Sequence, residues 1–251
     1  MRTMLLALLL AVALPAQAAE KVLVFAAAST TDAVQELGKA FTKEQGHTVE
    51  FAFGGSNDLA RQAVAGAPAD VFLSADLAKM DQVEKAGLLQ AGTRVELLSN
   101  RLVVVVPVGS KLKVASGAEL KGVKRLALAD PAAVPAGLYA KAWLEKAGVW
   151  KEVEPRVVPT LDVRAALAAV EAGRVDAAVV YATDAALSKR VRVAFTVPEA
   201  DGPRVVYPVA ALSKGKASEA GRAFVRFLQG EAARSVFERY GFIFLPGKSA
   251  P

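Results

Sequence analysis

Two apolar runs that no helix follows directly, "LLSNRLVVVVPVG" at 97–109 and "RVVYPVAAL" at 204–212, interrupt an otherwise regular alternation of strands and helices. Ahead of the first run, residues 22–25 read as a strand, and Val34, Leu37 and Phe41 then recur at helical spacing. Val49 to Phe53 is the next strand, followed by the turn "GGSND" and a short helix, Leu59 to Ala65. "DVFLSAD", 70–76, is a third strand, and Leu77, Met80 and Val83 mark a helix ended by Gly87. Alternation of this kind implies a parallel sheet with helices on both faces. Between the two runs the pattern restarts: "RLALAD" at 125–130, a helix from Leu138 to Ala147, "RVVPT" at 156–160, a helix from Val163 to Ala172, and "DAAVVYATD" at 176–184. Helices at 217–228 and 231–240 follow the second run. Each run therefore reads as a strand that leaves one lobe and enters another.

The expected fold is α/β with two lobes, each a mostly parallel sheet flanked by helices, and a ligand cleft between them. Lobe I takes residues 19–101 and 206–251, with the C-terminal helices packed on it, and lobe II takes 102–205. In open parallel sheets ligands sit beyond the carboxyl ends of strands. Five such ends carry small or hydroxyl residues: "AAAST", "GGSND", "VPAG", "TLDVR" and "VVYATD". The two halves show no internal repeat.

The first 18 residues read as a signal peptide. Arg2 supplies a positive start, Met4 to Leu14 a short apolar run, and Ala16-Gln17-Ala18 a small-x-small cleavage site. No later stretch reaches the roughly 20 apolar residues of a membrane helix, so the mature chain is expected to be soluble, with no direct membrane insertion. The chain has no cysteine, which excludes disulfides, thiolate metal sites and a lipid-anchored N-terminus. An exported protein without a tether is expected in a Gram-negative periplasm. The formal charge of +6 is scattered along the chain rather than gathered into a basic stripe, which argues against nucleic acid and for mild steering of anions.

Catalytic chemistry is thin. The single histidine, His47, sits at the start of a strand and reads as a surface or edge residue, which leaves zinc and Ser-His-Asp sites without their parts. "GKS" at 247–249 would need its first P-loop glycine at Phe242. Asp58, Asp76, Asp130, Asp162 and Asp184 all fall near helix starts, where a carboxylate balances the helix dipole. Binding chemistry is better represented. A helix N-terminus offers unpaired N–H groups and partial positive charge, and takes up oxyanions without a lysine or arginine. Small residues let a ligand reach the main chain, and hydroxyls add donors. "AAAST" meets both conditions, although Ser29 with Asp32 three residues on is equally an ordinary capping box.

The strings "VFAAASTTDA", "LARQAVAGAPADVFLSAD", "DPAAVPAGLYAKAWLEKAG", "DVRAALAAVEAG" and "VVYATDA", in that order, resemble the periplasmic molybdate-binding proteins of molybdate ABC importers, from about residue 21 to 244. The resemblance implies the type II periplasmic-binding-protein fold closing over a molybdate or tungstate dianion. It also implies an inner-membrane ABC permease as partner, no cofactor and no enzymatic activity. A monomer is expected. The family's ligand contacts carry over to Ser29, Ser56, Ala136, Val163 and Tyr181. Because the metal arrives as its oxyanion, these residues are also the metal site. At "GGSND" relatives often carry a serine run, so Asn57 and Asp58 depart from the pattern. Asp58 is expected to serve its helix dipole and point away from the ligand.

Neutral donors suit a fully deprotonated dianion, which has only acceptors, whereas protonated phosphate calls for an acceptor facing it. A receptor for sulfate or another tetrahedral oxyanion is the alternative, separated from molybdate by pocket size. An enzyme with a cysteine-tethered cofactor is excluded by the lack of cysteine, and a regulator would carry a helix-turn-helix where this chain has its leader. Closure is expected about Asn100–Leu102 and Val205–Tyr207. The nearby cations Arg61 and Arg164 are expected to act only through their long-range field.

Overall fold

The computed structural model describes residues 19–249, so the leader expected over 1–18 lies outside the described residues. The chain begins with β1 (Lys21–Ala27), α1 (Thr31–Gln45), β2 (Thr48–Gly54), α2 (Ser56–Val64), β3 (Val71–Leu73), α3 (Leu77–Lys85) and β4 (Val95–Ser99). It continues through β5 (Leu102–Pro107), β6 (Leu126–Ala129), α4 (Pro135–Lys146), α5 (Trp150–Val153), β7 (Val157–Thr160) and α6 (Val163–Glu171). Then come β8 (Ala177–Tyr181), α7 (Ala182–Ala186) and β9 (Val191–Thr196). It ends with β10 (Tyr207–Ala211), α8 (Ser218–Phe227), α9 (Glu231–Arg239) and β11 (Ile243–Ser249).

These strands form two sheets, ordered β11–β4–β10–β3–β1–β2 and β7–β6–β8–β5–β9. Both are mixed rather than mostly parallel. The strands joined by crossover helices do pair in parallel, β1 with β2 and β3, and β6 with β7 and β8. The strands next to the crossings have no such helix to turn them round. β10 runs antiparallel to β3 and β4, and β5 antiparallel to β8 and β9. Each apolar run is also broken. Between β4 and β5, Asn100 and Arg101 leave the ladder, and the Asn100 side-chain oxygen accepts the Arg101 N–H at 2.9 Å. On the return, only Tyr207 to Ala211 join a sheet. Two strands were not anticipated, β9 and β11. β11 holds Pro246 and Gly247, which disqualify a central strand but are tolerated at an edge.

Packing follows the apolar stripes. α1 buries Ala33, Val34, Leu37 and Phe41, and the Phe41 ring meets Phe224 and Phe227 of α8 edge-on at 5.1 and 5.4 Å. Burying such a side chain stabilises by about 1.5–3 kcal/mol, which holds α8 on the first sheet as expected. Asp70, 1% exposed, accepts the Leu23 N–H and the Ala217 N–H, each at 2.7 Å, tying β1 to the segment entering α8. His47 is buried rather than at the surface; its Nδ1 accepts the Glu20 N–H at 3.2 Å, a structural role.

At Gly137, in the first turn of α4, a Cβ would lie 2.0 Å from the Ala129 carbonyl oxygen at the end of β6. Overpacking of this kind costs about 1–3 kcal/mol. Gly137→Ala is therefore expected to lower the melting temperature of the ligand-free protein by roughly 3–10 °C. An unchanged melt would show that α4 can move away from β6 freely.

Candidate oxyanion site

The carboxyl ends of β1, β2 and β8 and the starts of α4 and α6 meet at one small cavity. Its wall is made of Ala27 to Ser29, Gly54 to Ser56, Ala75, Val134 to Ala136, Asp162 with Val163, and Tyr181. All five expected residues, Ser29, Ser56, Ala136, Val163 and Tyr181, therefore line the same space. The cavity measures about 20 Å³. A larger open groove of about 1170 Å³ lies to one side, with Asp58, Asp130, Arg61 and Arg174 on its walls. It is a mixed-charge surface feature and does not share the donors described next.

No lysine, arginine or histidine lines the small cavity. Its one carboxylate, Asp162, is occupied, because Oδ1 accepts the Ala165 N–H at 2.9 Å and so caps α6. That leaves the N–H groups of Val163 and Arg164 without a partner in the helix. In α4, Pro135 occupies the first position and has no N–H, so Ala136 carries the first available donor. α2 starts at Ser56, three residues before the start read from the sequence at Leu59. "GGSND" is thus not a free turn: Gly55 is the extended N-cap, φ −63° and ψ 133°, and Ser56 opens the helix. Asp58 contacts Arg61 and receives the Asn57 amide at 3.1 Å; neither residue lines the small cavity.

Three hydroxyls complete the wall. Ser56 Oγ accepts the Ala75 N–H at 2.9 Å, which leaves its own proton free. Ser29 is not a cap. Ala28–Thr30 form a 3-10 turn ahead of α1 with no side-chain cap bond, and Ser29 Oγ lies instead 3.0 Å from Tyr207 Oη. Tyr181 is 1% exposed, and its hydroxyl has no hydrogen-bond partner. Burial pushes the Tyr181 pKa far up, so the group remains a protonated donor. A buried hydroxyl left unpaired costs about 1–3 kcal/mol, and an acceptor in the cavity would remove that cost. Among the described residues there is no His/Cys/Asp/Glu cluster able to hold a bare cation.

Arg164 does more than act through a long-range field, the role expected from the sequence. On α6, next to Val163, its guanidinium donates to Asp184 of α7, to Asp32 Oδ2 of α1 at 2.7 Å, and to the Ser29 carbonyl at 3.4 Å. It therefore ties the second lobe to the first beside the cavity. Asp184 is fully buried, and burial pushes its pKa up to about 7 against the pull of Arg164. The lobes also touch at Gly55, where a Cβ would sit 3.0 Å from the Leu161 carbonyl oxygen. Sequence reading missed Arg164 as a bridge, together with Tyr207 and Asn100. The available signal was "DVR", which sets a long cation beside a backbone donor, with Asp32 unassigned once the capping box is dropped.

The sequence matches the profile of the bacterial extracellular solute-binding proteins over residues 22–243. The chain belongs to that family. It is a family of solute-binding proteins, not of enzymes. The chain is 44% identical to the molybdate-binding protein ModA of Escherichia coli (strain K12), over 88% of each chain. It is 38% identical to that of Haemophilus influenzae, over 90% of this chain and 91% of the relative. The periplasmic molybdate-binding protein of Azotobacter vinelandii shares the fold at a TM-score of 0.78 and 22% identity, over 88% of this chain and 98% of that one.

The Arg164–Asp32 pair is part-exposed, so it contributes about 1 kcal/mol at most to the closed arrangement. Asp32→Asn leaves the Asp184 pair intact. It is expected to shift the ligand-free protein about fivefold toward open forms, read as a longer mean distance between spin labels placed one in each lobe. An unchanged distance distribution would remove the bridge from the account of closure.

Proposed function

We propose that this protein captures molybdate, or tungstate, in the periplasm and hands it to an ABC importer in the inner membrane. The observation that carries the reading is the Tyr181 hydroxyl, buried without a partner in a cavity lined by hydroxyls and helix starts and by no cation. Such a wall is rich in donors, and its one carboxylate spends Oδ1 on the cap of α6. A fully ionised tetrahedral dianion is the matching ligand, since all of its oxygens accept. The two relatives named as molybdate-binding proteins at 44% and 38% identity support molybdate among such dianions.

In this reading Ser29, Ser56 and Tyr181 donate through their hydroxyls, and Ala136 and Val163 through their backbone N–H groups. Ser29 and Ser56 belong to lobe I (19–101 with 206–251), and Ala136, Val163 and Tyr181 to lobe II (102–205). Ligand binding thus joins the two halves, with the crossings at Asn100–Leu102 and Val205–Tyr207 as hinges. The protein acts as a monomer, released by its leader into the periplasm. No helix among the described residues is long and apolar enough to cross a membrane.

Molybdate and tungstate are expected to stabilise the mature protein far more than sulfate or hydrogen phosphate at equal concentration. At about 100 times the dissociation constant the gain is roughly 2.7 kcal/mol, or about 5–10 °C in melting temperature for a chain this long. An equal shift with sulfate would replace molybdate by a general dianion. Tyr181→Phe and Ser56→Ala should each weaken molybdate binding by roughly 10- to 150-fold, the range of a hydrogen bond to a charged acceptor. Calorimetry on the two variants reads this directly, and losses within threefold would place the ligand elsewhere.

A further inference from the structure

We propose that Tyr207 is a positioning residue for this site: held at the hinge by Asn100, its phenol donates to Ser29 and so commits the serine's own proton to the cavity. The inference rests on the oxyanion reading above and adds residues that do not touch the ligand. It begins at Asn100, buried in the break between β4 and β5. The Arg101 N–H donates to Asn100 Oδ1 at 2.9 Å, which fixes the amide's orientation. Nδ2 is therefore turned the other way, toward Thr183 Oγ1 at 2.9 Å and Tyr207 Oη at 3.4 Å, and an amide nitrogen only donates.

Tyr207 is fully buried at the start of β10, the second crossing, with its ring between Tyr181 at 5.7 Å and Phe242 at 5.6 Å. Its hydroxyl has two polar neighbours, Asn100 Nδ2 and Ser29 Oγ. The first cannot accept. A buried phenol proton left unpaired is costly, so it goes to Ser29 Oγ at 3.0 Å. Burial also pushes the Tyr207 pKa far up, which keeps that proton in place. Having accepted from Tyr207, Ser29 has its own proton to offer to the cavity it lines. The direction runs Asn100 to Tyr207 to Ser29 to ligand, and each donor polarises the next. The relay starts on one crossing and passes through the other, so the serine is in register with the hinge.

Two variants test this. Tyr207→Phe keeps the ring and removes the relay, leaving Ser29 Oγ free to accept as well as donate. Molybdate affinity should fall roughly 2- to 12-fold, the span of one neutral hydrogen bond. Affinity for hydrogen phosphate, which has a proton to give, should fall less, so the preference for molybdate narrows. In a Ser29→Ala background, Tyr207→Phe should cost less than about twofold more, because its route to the ligand is gone. A merely structural tyrosine would lower both anions alike and its loss would add fully to that of Ser29→Ala; either result overturns the proposal. Should Tyr207→Phe melt far below wild type without ligand, Asn100→Asp serves instead. It keeps the shape but accepts the phenol proton, turning Ser29's lone pairs to the cavity. The loss should exceed that of Tyr207→Phe and shrink in the Ser29→Ala background, and a loss undiminished there also overturns the proposal. Wild-type protein that ignores molybdate would refute the functional reading itself, a separate outcome.

Discussion

A helix that starts at the end of a strand leaves its first-turn N–H groups with nothing to bond to, and the site is arranged around that shortage. α2, α4 and α6, with the turn before α1, all begin at the same small cavity. Each helix end brings a fraction of a positive charge that cannot be titrated away and needs no counter-ion. Apart from Asp162 and Tyr181 the wall is made of alanine, glycine, serine, valine and proline, which lets a ligand approach the main chain. Closing the lobes over nothing buries several donors at a cost of about 1–3 kcal/mol each. The part-exposed Arg164–Asp32 pair offsets about 1 kcal/mol at most of that. The balance therefore favours closure chiefly when an acceptor is present, which is what a receptor requires.

Apart from Asp162, which caps α6, the charged residues stand one layer back. Arg164 neutralises Asp184 within its own lobe and reaches Asp32 in the other, so the cation is already occupied by carboxylates beside the cavity. A free arginine there would attract any anion. A paired one leaves discrimination to donors of fixed direction, and the Asn100–Tyr207–Ser29 chain shows how a direction is fixed.

The order of strands and helices was legible because period and small-residue punctuation are local properties; the five site residues came instead from the family resemblance, and all five line the one cavity. Pairing direction was not legible. β4, β5 and β10 carry the same valines and leucines as a parallel strand, and only the crossing decides which way their neighbours run. β11 was hidden by Pro246 and Gly247, which an edge strand with a register shift accommodates. In the site, Ser29 reads as a cap from its own neighbours. Its true partner, Tyr207, lies most of the chain away, and no spacing rule joins the two. Arg164 read as a nearby cation acting only through its field for the same reason, since its partners Asp32 and Asp184 come from separate elements.

The path of the chain has a further consequence for the nascent protein. All strands of the second sheet lie between Leu102 and Thr196, so that half has its full complement once this stretch has been made. The first sheet does not. β10 fits between β3 and β4, with Val209 beside Leu73 on one side and Val95 on the other, and it arrives late. Until then β3 and β4 present bare edges, the kind that pair wrongly between molecules. Contacts this remote in sequence are also slow to form. The half that carries both chain ends is the last to close, and a partner that shields those edges would protect the half-made chain.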